Sequence, residues 1–378
     1  MQFGLTDDES TFRDQIRALA DKEFAEGYLR RATSEEFPWD GYRRLGELQL
    51  LGLMFSEGFG GQAATFVATG AALEALAYAD FNLAFLAYFA ALPSVERLVP
   101  ESLRAEVLPR IVRGEEILAY GVTEPGGGSD LAATRARAER VDGGWRLNGE
   151  KTSVSLIGVA ERAVVFARAS DAAGAAGIGG FLVDLQVSGV SRSSFHDVGC
   201  LPLGRGSLFL DDVFVPDERL SAAPGAGFFE IVDTFNYTRP LLGLMCVGAA
   251  QASLDEAVAY AGQREAFGQK ISSYQGVTFP LVEATARIAA ARHLCYEALW
   301  LRDRGESQRA EGALSKWYGC EEALRAIEAA MVTMGHYAYS VDSPHQQRLR
   351  DVMGLLFGEG TPQIMKRIAA HAVWKDAR

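Results

Sequence analysis

The spacing of apolar residues changes twice along this chain of 378 residues. Up to about residue 117, apolar side chains recur every three to five positions, as at Phe12 and Ile16, which is typical of amphipathic helices. Alternating segments then take over, and the helical spacing returns towards the C-terminus. The sequence therefore predicts a mainly α protein with a central β domain: helices over 1–117, strands over 118–222 and helices over 223–378.

Local signals support this division. Thr6 and Glu9 have the spacing of a capping box, which begins a helix. The alanine-rich stretch 63–88 carries few charges, so its helices are expected to be buried on most sides. In the middle domain, two alternating segments flank the turn Asp142-Gly143-Gly144, which is the pattern of a β-hairpin.

Composition narrows the classes of partner. The net charge of −12 argues against a nucleic-acid partner, because such binding needs a basic face. No uninterrupted apolar run approaches the roughly 20 residues that span a bilayer, and the acidic N-terminus lacks the pattern of a signal peptide. The four cysteines and five histidines show no metal-ligand spacing. A soluble, cytoplasmic protein is expected, without nucleic acid, membrane or metal.

Residues 120–130, YGVTEPGGGSD, form the first segment that could bind a ligand or take part in catalysis. Thr123 and Ser129 offer hydroxyls, and the glycines between them let backbone N–H groups approach a ligand closely. Such a loop suits an anionic cofactor with hydrogen-bonding ring edges. No lysine follows the glycines, so the loop is not a phosphate-binding P-loop. Taken alone, a plain glycine-rich turn is the simpler interpretation.

Residues 357–364, FGEGTPQI, form the second such segment. The glycines on either side of Glu359 allow a tight turn that can project the carboxylate into a cleft. A lone glutamate in such a loop is more often a solvated surface residue, so the pattern by itself does not assign a role.

Taken together and in this order, the two segments resemble signatures of the FAD-dependent acyl-CoA dehydrogenase family. The resemblance implies a helical N-terminal domain, a β-barrel or sandwich-like middle domain and a C-terminal four-helix bundle. It implies oxidation of an acyl-CoA thioester to the 2-enoyl-CoA, with FAD as cofactor and electron-transfer flavoprotein as acceptor. It also implies a homo-oligomer, expected to be a tetramer.

The resemblance further implies residue roles. Glu359 would remove the substrate α-proton, and Glu124 would be a structural acid. The FAD contacts would come from Tyr120, Val122, Thr123, Ser129, Ser155, Arg264, Phe267, Gln275, Thr361 and Gln363, of which Arg264 and Phe267 would reach the FAD of a neighbouring subunit. The substrate contacts would come from Ser129, Ser153, Arg239 and Gly360.

The chain departs from the family pattern at several positions. Ser153 stands where relatives usually have a tryptophan beside the flavin, which should open space there unless neighbouring side chains fill it. The space expected beside Ser153 predicts a bulkier acyl group, either branched or alicyclic. Gly358 replaces a frequent tyrosine, which is also consistent with a wider pocket. Thr238 stands at the position of an alternative base and cannot serve as one. Val332 and His336 replace residues that contact FAD in relatives.

Three alternatives stay open within this fold. The protein could pass electrons to oxygen as an oxidase, or it could use an acyl carrier protein in place of CoA. It could also be a catalytically silent member that binds a partner, which the changes at Val332 and His336 would favour.

Overall fold

Helices form the N-terminal part of the computed structural model, which describes residues 4–375. The predicted capping box is present, because the Thr6 hydroxyl accepts from the Glu9 backbone N–H and the Glu9 carboxylate accepts from the Thr6 backbone N–H. The alanine-rich helices α4 and α5 are buried on nearly all sides, as expected. The helices are α1 Asp7–Glu23, α2 Tyr28–Ala32, α3 Trp39–Glu47, α4 Phe66–Ala79, α5 Phe81–Ala91, α6 Pro93–Leu98 and α7 Glu101–Val112.

Strands follow and pair into a central sheet with the order β6-β7-β3-β2-β4-β5-β8, with β1 pairing parallel to β4. The predicted hairpin is the antiparallel pair β2 and β3, in which Val141 lies opposite Gly144. The strands are β1 Leu118–Gly121, β2 Arg137–Val141, β3 Gly144–Val154, β4 Arg162–Arg168, β5 Ile178–Asp184, β6 Val190–Ser194, β7 Gly206–Pro216 and β8 Leu220–Ala222.

The C-terminal part is a helical bundle in which the three long helices α8, α9 and α10 pack together and α13 packs on α10. Its elements are α8 Gly227–Gln263, β9 Glu265–Ala266, β10 Gln269–Lys270, α9 Gln275–Asp303, α10 Arg309–Met334, α11 His336–Tyr339, α12 Pro344–Gly354 and α13 Pro362–Lys375. This arrangement confirms the predicted fold class of two helical parts around a central sheet.

Helix α8 forms the centre of the bundle. Every residue from Tyr237 to Ala250 is buried. The helix is long and apolar enough to cross a membrane by length and composition, but 78% of its most apolar window is buried inside the protein. That burial is what the core helix of a globular bundle shows.

Asp351 on α12 connects the three parts of the molecule. Its buried carboxylate accepts hydrogen bonds from the Tyr28 hydroxyl at 2.9 Å, the Asn82 amide at 3.0 Å and the Cys200 backbone N–H at 2.6 Å. Burial raises the pKa of Asp351 to about 6. Because α12 leads directly into residues 355–361, these bonds fix the starting point of the Glu359 segment.

Candidate active site

A cavity of about 530 Å³ opens where the three parts meet, a size typical of sites for small ligands and cofactors. Residues distant in sequence come together in its wall, from the segments after β1 and β3 and from residues 353–361. Nine of the predicted site residues line it: Tyr120, Val122, Thr123, Ser129, Ser153, Ser155, Glu359, Gly360 and Thr361.

A buried ion pair supports the wall that carries Thr123. Lys151 Nζ lies 2.7 Å from a carboxylate oxygen of Glu124, and the Arg135 and Ala136 backbone N–H groups donate to the same carboxylate at 2.7 and 3.0 Å. Burial works against the charged carboxylate, but Lys151 and the two N–H groups outweigh it and lower the pKa of Glu124. Glu124 is therefore a structural acid in this fold.

The hydroxyls on this wall are available to a ligand. Within residues 4–375, the side chains of Thr123, Ser129 and Ser155 make no hydrogen bond, although all three line the cavity. A Cβ added at Gly128 would lie 3.2 Å from Thr123 Cγ2, so glycine there lets the loop pass close to the Thr123 side chain.

The segment that carries Glu359 turns tightly between α12 and α13. Glu359 has φ +53°, and Gly360 has φ +110°, a conformation that favours glycine. Lys316 Nζ donates to the carbonyls of Leu356 at 3.0 Å and Gly360 at 2.6 Å, and Arg239 Nε donates to the carbonyl of Glu359 at 3.2 Å. Two buried cations thus hold this segment through its backbone.

Two hydroxyls hold the Glu359 carboxylate itself. The Tyr88 hydroxyl donates to one oxygen and the Thr238 hydroxyl to the other. Burial raises the pKa of Glu359, while these hydrogen bonds and the charges of Arg239 and Lys316 oppose that rise in part. A raised pKa is common among carboxyl groups that act as general bases in enzyme cavities.

A smaller chamber of about 70 Å³ adjoins the cavity, and Glu359 lies in the wall of both. The chamber is lined by aromatic and aliphatic side chains, including Phe89, Phe166 and Phe235. Glu359 is its one charged lining residue among those that the structure describes.

The space expected beside Ser153 is partly filled. Arg205 Nη1 donates to Ser153 Oγ at 2.6 Å, and Arg205 Nε donates to Asp197 at 2.8 Å. All three residues line the cavity. The guanidinium takes this position because its carboxylate partner, eight residues earlier, orients it towards Ser153. A cation therefore lies at this wall beside Ser153.

Five predicted residues lie outside the cavity wall. Arg239 contacts the backbone of Glu359, as described above. Gln363 is exposed on α13. Arg264, Phe267 and Gln275 lie around β9 and the start of α9 and are exposed, with Phe267 at 97%. The residues of departure, Val332 and His336, are exposed as well.

Reasoning from the sequence missed four contributors: Tyr88, Thr238, Lys316 and Arg205. Tyr88 lies in an apolar helix and gave no signal of its own. Thr238 was considered only as a base, although its position directly before Arg239 marks it as close to the site. Lys316 and Arg205 look like solvated charges in the sequence.

Known proteins match this chain over nearly its whole length. Three family models match the chain: the acyl-CoA dehydrogenase N-terminal domain over residues 6–115, the middle domain over 119–213 and the C-terminal domain over 225–374. Benzylmalonyl-CoA dehydrogenase of Aromatoleum aromaticum is 32% identical over 99% of this chain and 100% of its own length.

Solved structures agree with this result. The structure of butyryl-CoA dehydrogenase from Megasphaera elsdenii superposes with a TM-score of 0.93 at 26% identity, covering 99% of this chain and 100% of that one. A complex of glutaryl-coenzyme A dehydrogenase with glutaryl-CoA gives a TM-score of 0.94 at 28% identity, covering 99% and 97%.

Proposed function

Because the chain belongs to the acyl-CoA dehydrogenase family and is an FAD-dependent oxidoreductase, we propose that Glu359 is the base that removes the α-proton of an acyl-CoA thioester. The observation that carries this proposal is the place of the Glu359 carboxylate, in the wall shared by the large cavity and the apolar chamber. A thioester that enters through the cavity with its acyl end in the chamber would bring its α-carbon to this carboxylate.

The cavity wall suits FAD. The hydroxyls of Thr123, Ser129 and Ser155 have no hydrogen-bond partner in the described part of the chain, and these residues, with the backbone at Tyr120 and Val122, would hold the cofactor. Bound FAD supplies the acceptor for the hydride that leaves the substrate β-carbon. Thr361 lines the same cavity and would add a contact, while Gln363 would contribute from α13.

Two properties of the Glu359 segment support proton removal. The raised pKa of Glu359 makes it a stronger base than an exposed carboxylate, and general-base action typically contributes about 10²–10⁴-fold. No acceptor for the Glu359 backbone N–H is found between residues 4 and 375. That N–H would therefore be free to hold the thioester carbonyl and stabilise the negative charge that develops there.

The chamber supports a compact acyl group that is branched or contains a ring. Its small volume disfavours a long linear chain, and its aromatic wall favours contact with a ring. The relative from Aromatoleum aromaticum is named for benzylmalonyl-CoA, whose acyl group carries a ring. The support comes from the chamber, since Arg205 occupies the space beside Ser153.

Exposed residues support a homo-oligomer, proposed to be a tetramer. Arg264, Phe267 and Gln275 are exposed and lie outside the cavity wall of their own subunit, and they would complete the FAD site of a neighbour. An exposed phenylalanine costs solvation free energy that an interface would recover.

Electron-transfer flavoprotein is the proposed acceptor, by analogy with the family.

The test is an anaerobic titration of the purified holoenzyme, followed by flavin absorbance. Linear, α-branched, cyclohexane-type and phenyl-bearing acyl-CoAs are added in turn, and bleaching by compact branched or ring-bearing members is expected. Reduction by long linear acyl-CoAs alone would contradict the acyl group proposed. A flavin that stays oxidised with every member would contradict the use of CoA thioesters, and fast reoxidation in air would favour an oxidase.

A further inference from the structure

The Glu359 carboxylate accepts hydrogen bonds from hydroxyls on two separate helices. Tyr88 reaches it from α5 in the N-terminal part, and Thr238 reaches it from α8 in the bundle. Tyr88 is 1% exposed and lines the apolar chamber, so its hydroxyl comes from the side on which the acyl group would lie. Each hydroxyl bonds a different carboxylate oxygen.

We propose that Tyr88 is a positioning residue, whose hydroxyl acts opposite that of Thr238 to fix the Glu359 carboxylate at the junction of cavity and chamber. The proposal rests on the assignment of Glu359 as the base. A carboxylate held at both oxygens cannot rotate about its terminal bond without breaking a hydrogen bond. Its orientation is therefore set by two helices of different domains and not by its own glycine-flanked turn.

Hydroxyls suit this task better than a cation. Each carboxylate oxygen can accept more than one hydrogen bond, so an oxygen bound to a hydroxyl still has a lone pair for the substrate α-proton. A hydrogen bond to the charged form favours ionisation, but less strongly than a directly paired guanidinium or ammonium group would. The base is therefore oriented and stays basic.

The other titratable and charged groups around Glu359 act from further away. Arg239 on α8 and Lys316 on α10 bond backbone carbonyls of the segment, and Cys320 on α10 is a buried thiol whose neighbour is Lys316. Burial raises the pKa of Tyr88 well above its usual range, so Tyr88 stays protonated and remains a donor at every working pH. Of the residues that the structure describes, Tyr88 and Thr238 are the ones whose side chains donate hydrogen bonds to the carboxylate oxygens.

The test is the pH profile of flavin reduction in single turnover at saturating acyl-CoA, compared between wild type and Tyr88→Phe. Loss of the hydroxyl removes a donor from the ionised base, so the midpoint of the profile is expected to move to higher pH. Reduction should be roughly 3- to 30-fold slower on the acidic side, and part of the loss should remain at high pH, where the ionised carboxylate is held by Thr238 alone. Exchange of the substrate α-hydrogen with D₂O should show the same shift.

Matched variants separate positioning from general damage. Thr238→Val should move the midpoint in the same direction, whereas Thr238→Ser keeps a hydroxyl and should stay close to wild type. Tyr237→Phe removes a buried hydroxyl that accepts from the Ser94 backbone N–H and does not bond Glu359, so its midpoint should not move. Flavin content and melting temperature show that each variant is folded.

Two results separate a failure of the positioning role of Tyr88 from a failure of Glu359 as the base. If Glu359→Gln reduces flavin at the wild-type rate, the base itself is wrong. If Glu359→Gln is inactive but the Tyr88→Phe profile overlies that of wild type, or loses the same factor at every pH, the base stands and the positioning role of Tyr88 is overturned.

Discussion

Two glutamates beside the same cavity have opposite surroundings. Glu124 bonds Lys151 and two backbone N–H groups, and these lower its pKa. Glu359 is held by two neutral hydroxyls, with its nearby cations bound to backbone carbonyls, and burial raises its pKa. The first arrangement keeps a carboxylate charged and fixed, and the second leaves one ready to take a proton.

The difference shows how one fold uses the same side chain for structure and for chemistry. When the environments of two carboxyls move their pKa values apart, the group with the raised pKa is the candidate for proton transfer. What decides the role is the partner of the carboxylate oxygens: a direct cation in one case and hydroxyls in the other. Substitutions at or near either glutamate should therefore have different consequences.

The largest effect is expected from Glu359→Gln. The amide keeps the size of the side chain but cannot accept the α-proton, so the rate of flavin reduction should fall by about 10²–10⁴-fold. FAD should remain bound, because the change leaves untouched the hydroxyls of Thr123, Ser129 and Ser155, which are proposed to hold it. Stopped-flow absorbance under anaerobic conditions measures the rate, and a rate equal to wild type would remove Glu359 from the chemistry.

The next effect is on stability and comes from Glu124→Gln. This change leaves the Lys151 ammonium buried without its carboxylate, which typically costs about 3–5 kcal/mol of unfolding free energy. Adding Lys151→Met removes the unpaired charge as well, so the double variant should recover most of the loss. Urea unfolding at neutral pH measures both. A single variant as stable as wild type would mean that the pair does not support the loop.

The two glutamates also predict opposite dependences of stability on pH. A raised pKa favours the protonated folded state, so the contribution of Glu359 is present below its ordinary pKa of 4.5 and is lost as pH rises through the raised value. A lowered pKa does the reverse, so the contribution of Glu124 is present above 4.5 and is lost as pH falls through the lowered value.

Urea unfolding at fixed FAD concentration from pH 8 down to about pH 3 tests these signs, because the change expected for Glu124 lies below pH 4.5. Relative to wild type, Glu359→Gln should become more stabilising as pH rises, because it removes the cost of a buried charge. The deficit of Glu124→Gln should shrink towards the acidic end. Differences that stay constant with pH for both variants would show that neither carboxyl changes its pKa on folding.

The fold was predictable because the signals for it are local. The switch from helical to alternating spacing and back, the capping box at Thr6 and the turn at Gly143 depend on neighbours in sequence. The loops around Thr123 and Glu359 were also predictable as motifs, since glycines must lie beside a tight turn. Placing them in one cavity required the resemblance to a family, because nothing local relates them.

The contacts that set the chemistry were not predictable in this way. Tyr88 and Glu359 are 271 positions apart, and a tyrosine in an apolar helix looks like any other core residue. Lys316 is buried only because its ammonium reaches the carbonyls of Leu356 and Gly360. Arg205 fills the space beside Ser153 because Asp197 orients it. Each depends on distant parts of the chain meeting in three dimensions.

The smallest effect is expected from Arg205→Ala, and it tests whether the wall built on Lys151 also selects the substrate. Strand β3 carries both Lys151, which pairs with Glu124, and Ser153, which accepts from Arg205. The Arg205 guanidinium therefore lies against the same wall that the Glu124 ion pair supports. Its side chain is 40% exposed, so its loss should change the free energy of unfolding by less than about 1 kcal/mol.

Removing the bulk of Arg205 should raise the rate for ring-bearing acyl-CoAs relative to linear ones by at most about tenfold. Arg146→Ala is the control, because Arg146 is a half-buried arginine on β3 that pairs with Asp212 outside the cavity wall. If both variants leave the ratio of rates unchanged, the wall near Glu124 only supports the site, and selection of the acyl group belongs to the chamber beside Glu359.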